Sequence, residues 1–447
     1  MDMMSTLLLA VLSGVVLLLI MILKLRLPAF ISLLVSSIYV GLLAGLDGVE
    51  IIDTIKNGMG SSLGFVATVV GLGALFGGIL ELSGGAKTIA NHLLKIFGEK
   101  SSGMSLGLTG FLVAIPVFFD VAFIILIPVI YALQQKTQKS LLHYAIPLLS
   151  GLAITHAFIP PTPGPIAVAD ILQAQLGWVM LAGFLAGIPT MIVSGIIFGK
   201  YIGNKIYITA PELEEITEAE NKLPSFSKVF VIILLPIFLI ILNTVTKAGL
   251  IPIQDESVLD IIGLIGHPFI ALIIANLVAW YVLGVDGGYS SKELLDVSSK
   301  SMKPAGIIIL LTGAGSVFKQ VLVDTDAGAM MAQSVSDMGL PVILFAFIAA
   351  ALVRLIQGSA TVAMITAAGL VYPFITTATY SGMELAAFVI AIASGASIFS
   401  HVNDSGFWLV KEYLGMTEKQ TFRSWTMMTG ILAFTGFLCS VLIFILF

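Results

Sequence analysis

The hydrophobic pattern of this 447-residue chain is a series of long apolar runs separated by short polar loops. Runs of roughly 20 apolar residues can cross a bilayer as helices, and we predict full spans at each of them. They lie near 5–23, 28–46, 61–82, 177–199, 229–250, 262–284, 304–323 and 425–446. Two further runs, 141–175 and 384–414, are interrupted by prolines or polar residues and are predicted as broken crossing helices. The pattern therefore predicts an all-α integral membrane protein with about ten full crossings.

Two apolar segments, 104–133 and 342–375, are too short to cross a bilayer twice and lie at matching places in the two halves. We expect them to be re-entrant hairpins, because broken backbone at membrane depth is tolerated only where it lines a cavity. In this topology 17 of the 21 Lys and Arg residues lie in cytoplasmic loops, against Lys56 and Lys247 outside. The positive-inside rule favours this arrangement and places both termini outside. Lys319 is expected to snorkel from an outer helix end.

A weak internal repeat supports the same topology. Matching residues recur at a nearly constant offset of 241 to 244 positions: Gly73, Phe76 and Ala90 with Gly315, Phe318 and Ala332, Val121 and Ala122 with Val362 and Ala363, and Ser150 and Gly151 with Ser394 and Gly395. Each half has an odd number of full crossings, so the halves are predicted to be inverted relative to one another. We divide the chain into a first repeat at 1–205, an acidic cytoplasmic linker at 206–227 and a second repeat at 228–447.

Composition excludes several other classes of protein. Hydrophobic residues make up 58% of the chain and charged residues 11%, and the mean hydropathy is +1.07, which suits a helical bundle in lipid. The single cysteine, Cys439, excludes a disulfide framework and a cysteine-based metal site, and no basic cluster indicates nucleic acid. The chain has neither a phosphate-loop motif nor a sizeable soluble domain for nucleotide. We therefore expect no cofactor and no metal, and transport driven by an ion gradient.

The residues that could carry chemistry lie at the two hairpin tips. In the first hairpin the sequence IPVFFD at 115–120 ends in Asp120, a carboxylate that is costly in lipid unless it is hydrated, paired or protonated. Asp120 is either a proton carrier or a cap for the second arm. The second tip is QGSAT at 357–361, preceded by Arg354 about 20 Å into the arm at the helical rise. An arginine there either binds an anionic substrate or pairs with a carboxylate, Asp120 or Asp404.

The two broken crossings carry the remaining candidates. The first contains THAFIPPTPGP at 155–165, where four prolines within six positions end the helix and release backbone amides. The second contains SIFSHVNDSG at 397–406, which places six polar side chains in an apolar context. His156 and His401 occupy related places and are either proton carriers or satisfied hydrogen-bonding residues.

Together the breaks predict a secondary transporter. Helix N-termini that meet near the membrane centre favour an anion, and the hydroxyl and amide side chains around them suit a hydroxylated solute. The predicted substrate-binding residues are Thr155, Gly164, Arg354, Gln357, Ser359, Thr361, Ser397, Ser400, Asn403 and Ser405, and the predicted proton-coupling residues are Asp120, His156, His401 and Asp404. A channel, which needs a continuous polar stripe, and an intramembrane enzyme, which needs a nucleophile and base pair, are the alternatives from other classes.

The sequence also resembles a known family. The runs PVFFDVAFIILIP at 116–128, THAFIPPTPGP at 155–165, QGSATVA at 357–363 and SHVNDSGFW at 400–408 look like the gluconate permease family of bacterial proton symporters. The resemblance covers almost the whole chain. It implies uptake of gluconate or a related sugar acid with a proton across the bacterial plasma (inner) membrane, and the family also includes carriers for D-serine, glycerate and other hexonates. It further implies the ion-transporter superfamily, whose members are commonly homodimers with an elevator motion. Several relatives have histidine where this chain has Thr162, which removes one possible proton carrier.

Overall fold

The computed structural model describes residues 3–98, 101–211, 223–251, 253, 255–325, 341–376, 378–402 and 404–447. Eighteen helices form this described part, which contains no β-strand. They are α1 (Met3–Leu23), α2 (Ala29–Leu43), α3 (Gly48–Leu82), α4 (Gly85–Phe97), α5 (Ser102–Val113), α6 (Phe119–Thr137), α7 (Leu142–Phe158), α8 (Pro163–Ile171), α9 (Leu176–Lys205), α10 (Phe226–Lys247), α11 (Glu256–Ile265), α12 (Pro268–Val285), α13 (Ser291–Asp324), α14 (Val342–Gln357), α15 (Ala360–Ile375), α16 (Gly382–Ala396), α17 (Ser405–Tyr413) and α18 (Glu418–Leu446).

The helices have the length and composition of membrane spans. Eight segments of the described chain are long and apolar enough to cross a bilayer, and Leu142–Ile171, which joins α7 and α8, is 83% buried. The chain is therefore a multi-pass membrane protein. Short π-helical segments lie within α9 and α18 and form the end of α12.

Two long helices, α3 and α13, pack along each other and against α2. Both begin 13 residues before the apolar runs predicted at 61–82 and 304–323, because each starts with a polar capping box. The Asp47 side chain accepts from the amides of Val49 and Glu50, and Ser290 caps α13 in the same way with Glu293. The extra turns make α3 and α13 the longest helices among the described residues.

Each of the two segments predicted as hairpins is divided into a pair of helices. In the first, α5 and α6 are separated at Ala114–Phe118, and in the second, α14 and α15 are separated at Gly358–Ser359. The 12 residues of α5 and the 16 each of α14 and α15 correspond to roughly 18 and 24 Å, less than a hydrocarbon core of about 30 Å. The second arm of the first hairpin, α6, has 19 residues and extends beyond the predicted limit at position 133.

The two runs predicted as broken crossings are likewise each divided into two helices, since α7 stops before α8 and α16 stops before α17. The span predicted at 262–284 starts later than expected, because a helix long enough to cross a bilayer runs only over Pro268–Val285. Here α11 ends at Ile265 and α12 begins at Pro268, where proline fits the first helical position and His267 caps the amide of Phe269. An ideal Cβ on Gly266 would lie 2.5 Å from the carbonyl of Leu239, so this corner packs tightly on α10.

The first arm of each hairpin packs on the broken helix of its own half, α5 on α7 and α14 on α16. The contact is made at a glycine in both cases. An ideal Cβ on Gly151 would lie 2.1 Å from the carbonyl oxygen of Gly107, and one on Gly395 would lie 2.2 Å from that of Phe347. Only a residue without a side chain allows the helices to approach this closely.

Candidate functional site

The tip of the second hairpin is a polar turn. Helix α14 ends at Gln357, and Gly358 takes the left-handed conformation, φ +87°, that glycine adopts without strain. The Gln357 side-chain oxygen accepts from the amide of Ser359 at 2.8 Å, and the Ser359 hydroxyl accepts from the amide of Val362 at 3.4 Å. The polar tip residues therefore build the turn itself, and Ser359 caps α15.

Arg354 joins this tip to the second broken helix. Its side chain is only 6% exposed and forms an ion pair at 2.5 Å with the Asp404 carboxylate, whose side chain is 13% exposed. The same guanidinium donates to the carbonyl oxygen of Gly358. Of the two carboxylates named as possible partners, Asp404 is thus the one that Arg354 contacts. A buried guanidinium with two acceptors fixes the position of the tip relative to the break.

Asp404 is held from several directions. It caps α17 by accepting from the amide of Gly406 at 3.2 Å, and it accepts a hydrogen bond from the Ser400 hydroxyl. The indole of Trp425 donates to the Ser400 oxygen at 2.7 Å. These residues form a chain of hydrogen bonds that runs from α18 through the break to Arg354.

The backbone of the break is also fixed to α18. The Ser400 carbonyl accepts from the Thr426 hydroxyl at 2.6 Å, and the Ser400 amide donates to the Thr429 hydroxyl at 3.0 Å. On the other side, the His401 imidazole lies 3.0 Å from the carbonyl of Leu355 in α14. His401 thus has a hydrogen-bonding partner, which agrees with its interpretation as a satisfied hydrogen-bonding residue and leaves a role as proton carrier a prediction. Asn403 lies outside the described residues.

The first hairpin brings Asp120 to the same region. Asp120 is the second residue of α6, is exposed, and does not cap the helix, which begins after Phe118 without a side-chain cap. Its carboxylate is close enough to that of Asp404 for the two charges to repel each other. The neighbouring Phe119 ring lies 5.6 Å from the ring of Trp425.

The first broken helix lies on the other side of this hairpin tip. The imidazole of His156 lies 6.3 Å from the Phe118 ring, and its buried Nδ1 has no hydrogen-bonding partner among the described residues. The Thr155 hydroxyl donates to the carbonyl of Phe111 at 2.8 Å, which ties the broken helix to α5. Thr162, which precedes the first turn of α8, donates to the carbonyl of Ile159 at 2.5 Å.

Four helices start at the breaks, and they meet in pairs across the two halves. Gly164 at the start of α8 packs on Met364 of α15, whose Sδ would lie 2.9 Å from a Cβ at Gly164. In the other pair, the Tyr131 hydroxyl of α6 donates to the carbonyl of Tyr413 in α17. The start of α8 thus lies beside the first turns of α15, and the Phe119–Trp425 contact places the start of α6 beside the second break, where α17 begins. The positive ends of these helix dipoles favour negative charge there.

A cavity of about 210 Å³ opens beside the first hairpin tip. Its walls come from the Pro116–Phe118 turn, from Gly77, Gly78 and Glu81 of α3, and from Lys300 and Ser301 of α13. It is large enough to hold several water molecules. A much smaller pocket continues from the same turn to Pro161 and Thr162 in the first break.

The structure therefore brings together Arg354, Ser400, Asp404 and Asp120, with the tip residues Gln357 and Ser359 adjacent. Ser397 returns its hydroxyl to the Ala393 carbonyl at 2.7 Å, and Ser405 and Thr361 make no side-chain hydrogen bond to another described residue. Thr155, His156 and Gly164 lie on the opposite side of the first tip.

Sequence reasoning missed Trp425, Thr426 and Thr429, which hold Ser400. They belong to the span predicted at 425–446, where the sequence does not distinguish a residue that contacts the site from any other residue of a membrane helix. The only signal is that a tryptophan and two threonines occur in the first turns of an otherwise apolar run.

Broken helices with charged groups at their centre, within a bundle of apolar spans, define a multi-pass membrane protein of the transporter class. The chain belongs to the GntP family of permeases, whose family model matches residues 6–446. It is 41% identical over 440 residues to the low-affinity gluconate transporter of Escherichia coli K12, covering 98% of each chain. It is 37% identical to the gluconate permease of Pseudomonas aeruginosa, covering 96% of each.

Among solved structures, the chain is similar to the YdaH transporter of Alcanivorax borkumensis. The TM-score is 0.66, and the match covers 93% of this chain and 97% of that one. At 15% identity this similarity describes the fold alone. The family places the chain among permeases and not among enzymes.

Proposed function

We propose that this permease takes up gluconate or a related sugar acid together with a proton across the bacterial plasma membrane. The relatives at 35–41% identity named as gluconate transporters or permeases support the solute class. D-serine, glycerate or another small hydroxylated carboxylate is the second candidate, since the same hydroxyls and helix N-termini would bind it. As in the sequence-based topology, both termini are proposed to face outwards, and the working unit is proposed to be a homodimer.

The observation that carries this proposal is the charge cluster at the second break. The cluster contains two carboxylates, Asp120 and Asp404, and one guanidinium, Arg354, so that its net charge is one negative charge. This charge repels an anionic solute until a proton neutralises Asp120, the carboxylate that has no ion-pair partner among the described residues. Solute and proton would therefore enter together, which is the physical basis of symport.

The substrate carboxylate would then bind near the N-termini of α15 and α17, with Arg354 supplying positive charge. The Ser400, Ser359 and Thr361 hydroxyls are the groups suited to the hydroxyls of the solute. His156 is the second candidate proton carrier, because its buried Nδ1 has no partner in the described part of the chain. Gln357, Ser397, Ser405, Thr155, Gly164, His401 and Asn403 complete the proposed site.

We propose that access alternates by an elevator motion of the hairpins and broken helices against α3 and α13. The equivalent contacts at Gly151 and Gly395 support two inverted repeats with the same internal packing. The boundary with the long helices differs between the halves, however. An ideal Cβ on Gly77 would lie 2.1 Å from the Pro116 carbonyl at the first tip, whereas one on Gly315 would contact Ile365, well along the second arm.

If the first hairpin took up the position along its long helix that the second now has, and the second took up that of the first, the permease would be open to the opposite side of the membrane. In the second half Lys319, the counterpart of Gly77, contacts Tyr372, which corresponds to Tyr131 in the first half at the offset of 241. From the start of α6 at position 119 to position 131 is 12 residues, or roughly 18 Å along a helix. The proposed displacement is therefore about 18 Å, of the order of half a bilayer.

Uptake by the purified protein in proteoliposomes tests the function. We expect labelled D-gluconate to accumulate when the exterior is made acidic, and a protonophore to abolish accumulation but not exchange with internal unlabelled gluconate. Exchange also separates a carrier from a channel. Competition by other aldonates, D-serine and glycerate identifies the solute. Absence of gluconate uptake and of competition by any aldonate would contradict the proposal.

A further inference from the structure

Lys319 is a cation that joins three helices near one end of the bundle. It lies on α13 and is partly buried, and its ammonium is 4.1 Å from the centroid of the Tyr372 ring on α15. The carboxylate of Asp170, close to the end of α8, attracts the same ammonium. A lysine that leaves water for an aromatic face and a carboxylate forms a stronger contact than an exposed one. This contact connects a long helix to the elements proposed to move.

The repeat shows what occupies the equivalent place in the first half. At the offset of 242, α3 and α13 share glycines at 64 and 306, 71 and 313, and 73 and 315, phenylalanines at 76 and 318, and leucines at 80 and 322. This alignment places Lys319 opposite Gly77. Gly77 lines the 210 Å³ cavity beside the first hairpin tip. The same position therefore borders a cavity in the first half, where it packs closely on the Pro116 carbonyl, and carries a bridging cation in the second.

The second arm of each hairpin, α6 in the first and α15 in the second, also differs in how closely it packs. Ile365 of α15 is fully buried against Gly315, whereas its counterpart on α6, Ile124, is 41% exposed. Between the long helix and the hairpin there is thus a cavity in the first half and a close contact in the second, and we call these the open and the closed passage. Lys319 sits in the closed one.

We propose that Lys319 is a specificity-determining residue of the passage in the second half. In the present state it closes that passage by holding Tyr372 and Asp170. When the second hairpin withdraws, Lys319 lines the open passage as Gly77 lines the first, and its charge attracts an anionic solute towards the Gln357–Gly358 tip. This inference rests on the proposed function, and it replaces the expectation that Lys319 only snorkels.

Uptake kinetics test the attraction. Lys319→Gln removes the charge, Lys319→Arg keeps it, and Lys56→Gln removes an exposed lysine from the other long helix as a matched control. We expect Lys319→Gln to raise the KM for D-gluconate at least tenfold, by the order of one lost charge contact. Lys319→Arg and Lys56→Gln should stay within about twofold of the parent protein. An unchanged KM in folded Lys319→Gln would overturn the specificity role.

Disulfide trapping tests the closure independently of transport. In a Cys439→Ala background, Gly315→Cys with Ile365→Cys reports the present state, because the two Cβ positions are 3.6 Å apart. The counterparts Gly73→Cys and Ile124→Cys report the opposite state. In Lys319→Gln we expect the Gly315–Ile365 cysteine pair to cross-link about threefold less and the Gly73–Ile124 pair to cross-link more. This corresponds to a change of roughly 0.7 kcal/mol in the free-energy difference between the two states.

The two readouts separate the possible failures. Unchanged cross-linking of both pairs in Lys319→Gln would overturn the closing role, even if KM moved. Failure of the parent protein to take up gluconate would overturn the proposed function. The cross-linking would then still decide whether Lys319 closes the passage.

Discussion

Replacing Asp404 with Asn tests the ion pair at the centre of the site. Asparagine is as good a helix cap as aspartate, and its side-chain oxygen can still accept from the Gly406 amide, while its NH2 group takes the place of the oxygen that accepts from Ser400 and Arg354. The substitution therefore removes the negative charge while it preserves the size of the side chain and the cap of α17. Arg354 is left as a buried cation without its carboxylate.

The structure sets the size of the effect. With side-chain exposures of 6% and 13% and a separation of 2.5 Å, the pair is screened little by water. Removing one partner of a buried pair costs about 3–5 kcal/mol. The exposed pair of Lys228 and Asp286, with exposures of 51% and 57%, is the matched control, and Asp286→Asn should cost about 0–1 kcal/mol.

Thermal unfolding in detergent measures the difference. For a chain of this length, the average entropy of unfolding per residue converts 1 kcal/mol into about 1 °C, so Asp404→Asn should lower Tm by about 3–5 °C. The double variant Arg354→Met with Asp404→Leu should recover most of that loss, because an apolar pair needs no charge partner, but should not transport. If Asp404→Asn were as stable as Asp286→Asn, the claim that the pair is buried and stabilises the break would be refuted.

Three further predictions concern packing, coupling and topology. Gly151→Ala and Gly395→Ala should each destabilise the protein by about 1–3 kcal/mol or more through clash with a backbone carbonyl. Gly103→Ala, whose Cβ would meet its nearest atom at 3.7 Å, should not, as measured by the same melts. Asp120→Asn should abolish proton-driven accumulation and leave gluconate exchange, so accumulation against a gradient would contradict its coupling role. Lys136→Cys should react with an impermeant maleimide only from the cytoplasm, and labelling of intact cells would overturn the predicted first hairpin.

The breaks could be predicted from sequence because proline, glycine and charge are conspicuous against apolar residues. The prolines at 160–165 and the turn at 357–359 are examples, and both interrupt helices where expected. Helix α4 could not be found in this way, since its buried positions, such as Ile89 and Leu93, alternate with Lys87 and His92. A search for apolar runs overlooks an amphipathic helix, and for the same reason it missed the polar first turns of α3 and α13.

The partners within the site were harder to predict than its members. Arg354 and Asp404 were both candidates, but the sequence left Asp120 equally open as the partner of Arg354. The choice depends on how α14 packs against the second break, and that packing is tertiary. Trp425 and Thr429 were missed because membrane helices carry such residues for many reasons, and only their contacts with Ser400 distinguish them.

The two ends of the interdomain connection are both anchored to the first half. At the start of the 206–227 linker, the Ala210 amide donates to the side chain of Gln134 at 3.2 Å, and Leu141 donates its amide to the Ile208 carbonyl at 2.9 Å. Near its end, the Pro224 carbonyl accepts from the Thr88 hydroxyl at 3.1 Å. Because each flank has its own attachment, the covalent bond between the halves is dispensable for their association. Two separately encoded fragments, divided within 212–222 and produced in the same cell, should therefore reassemble into a working carrier.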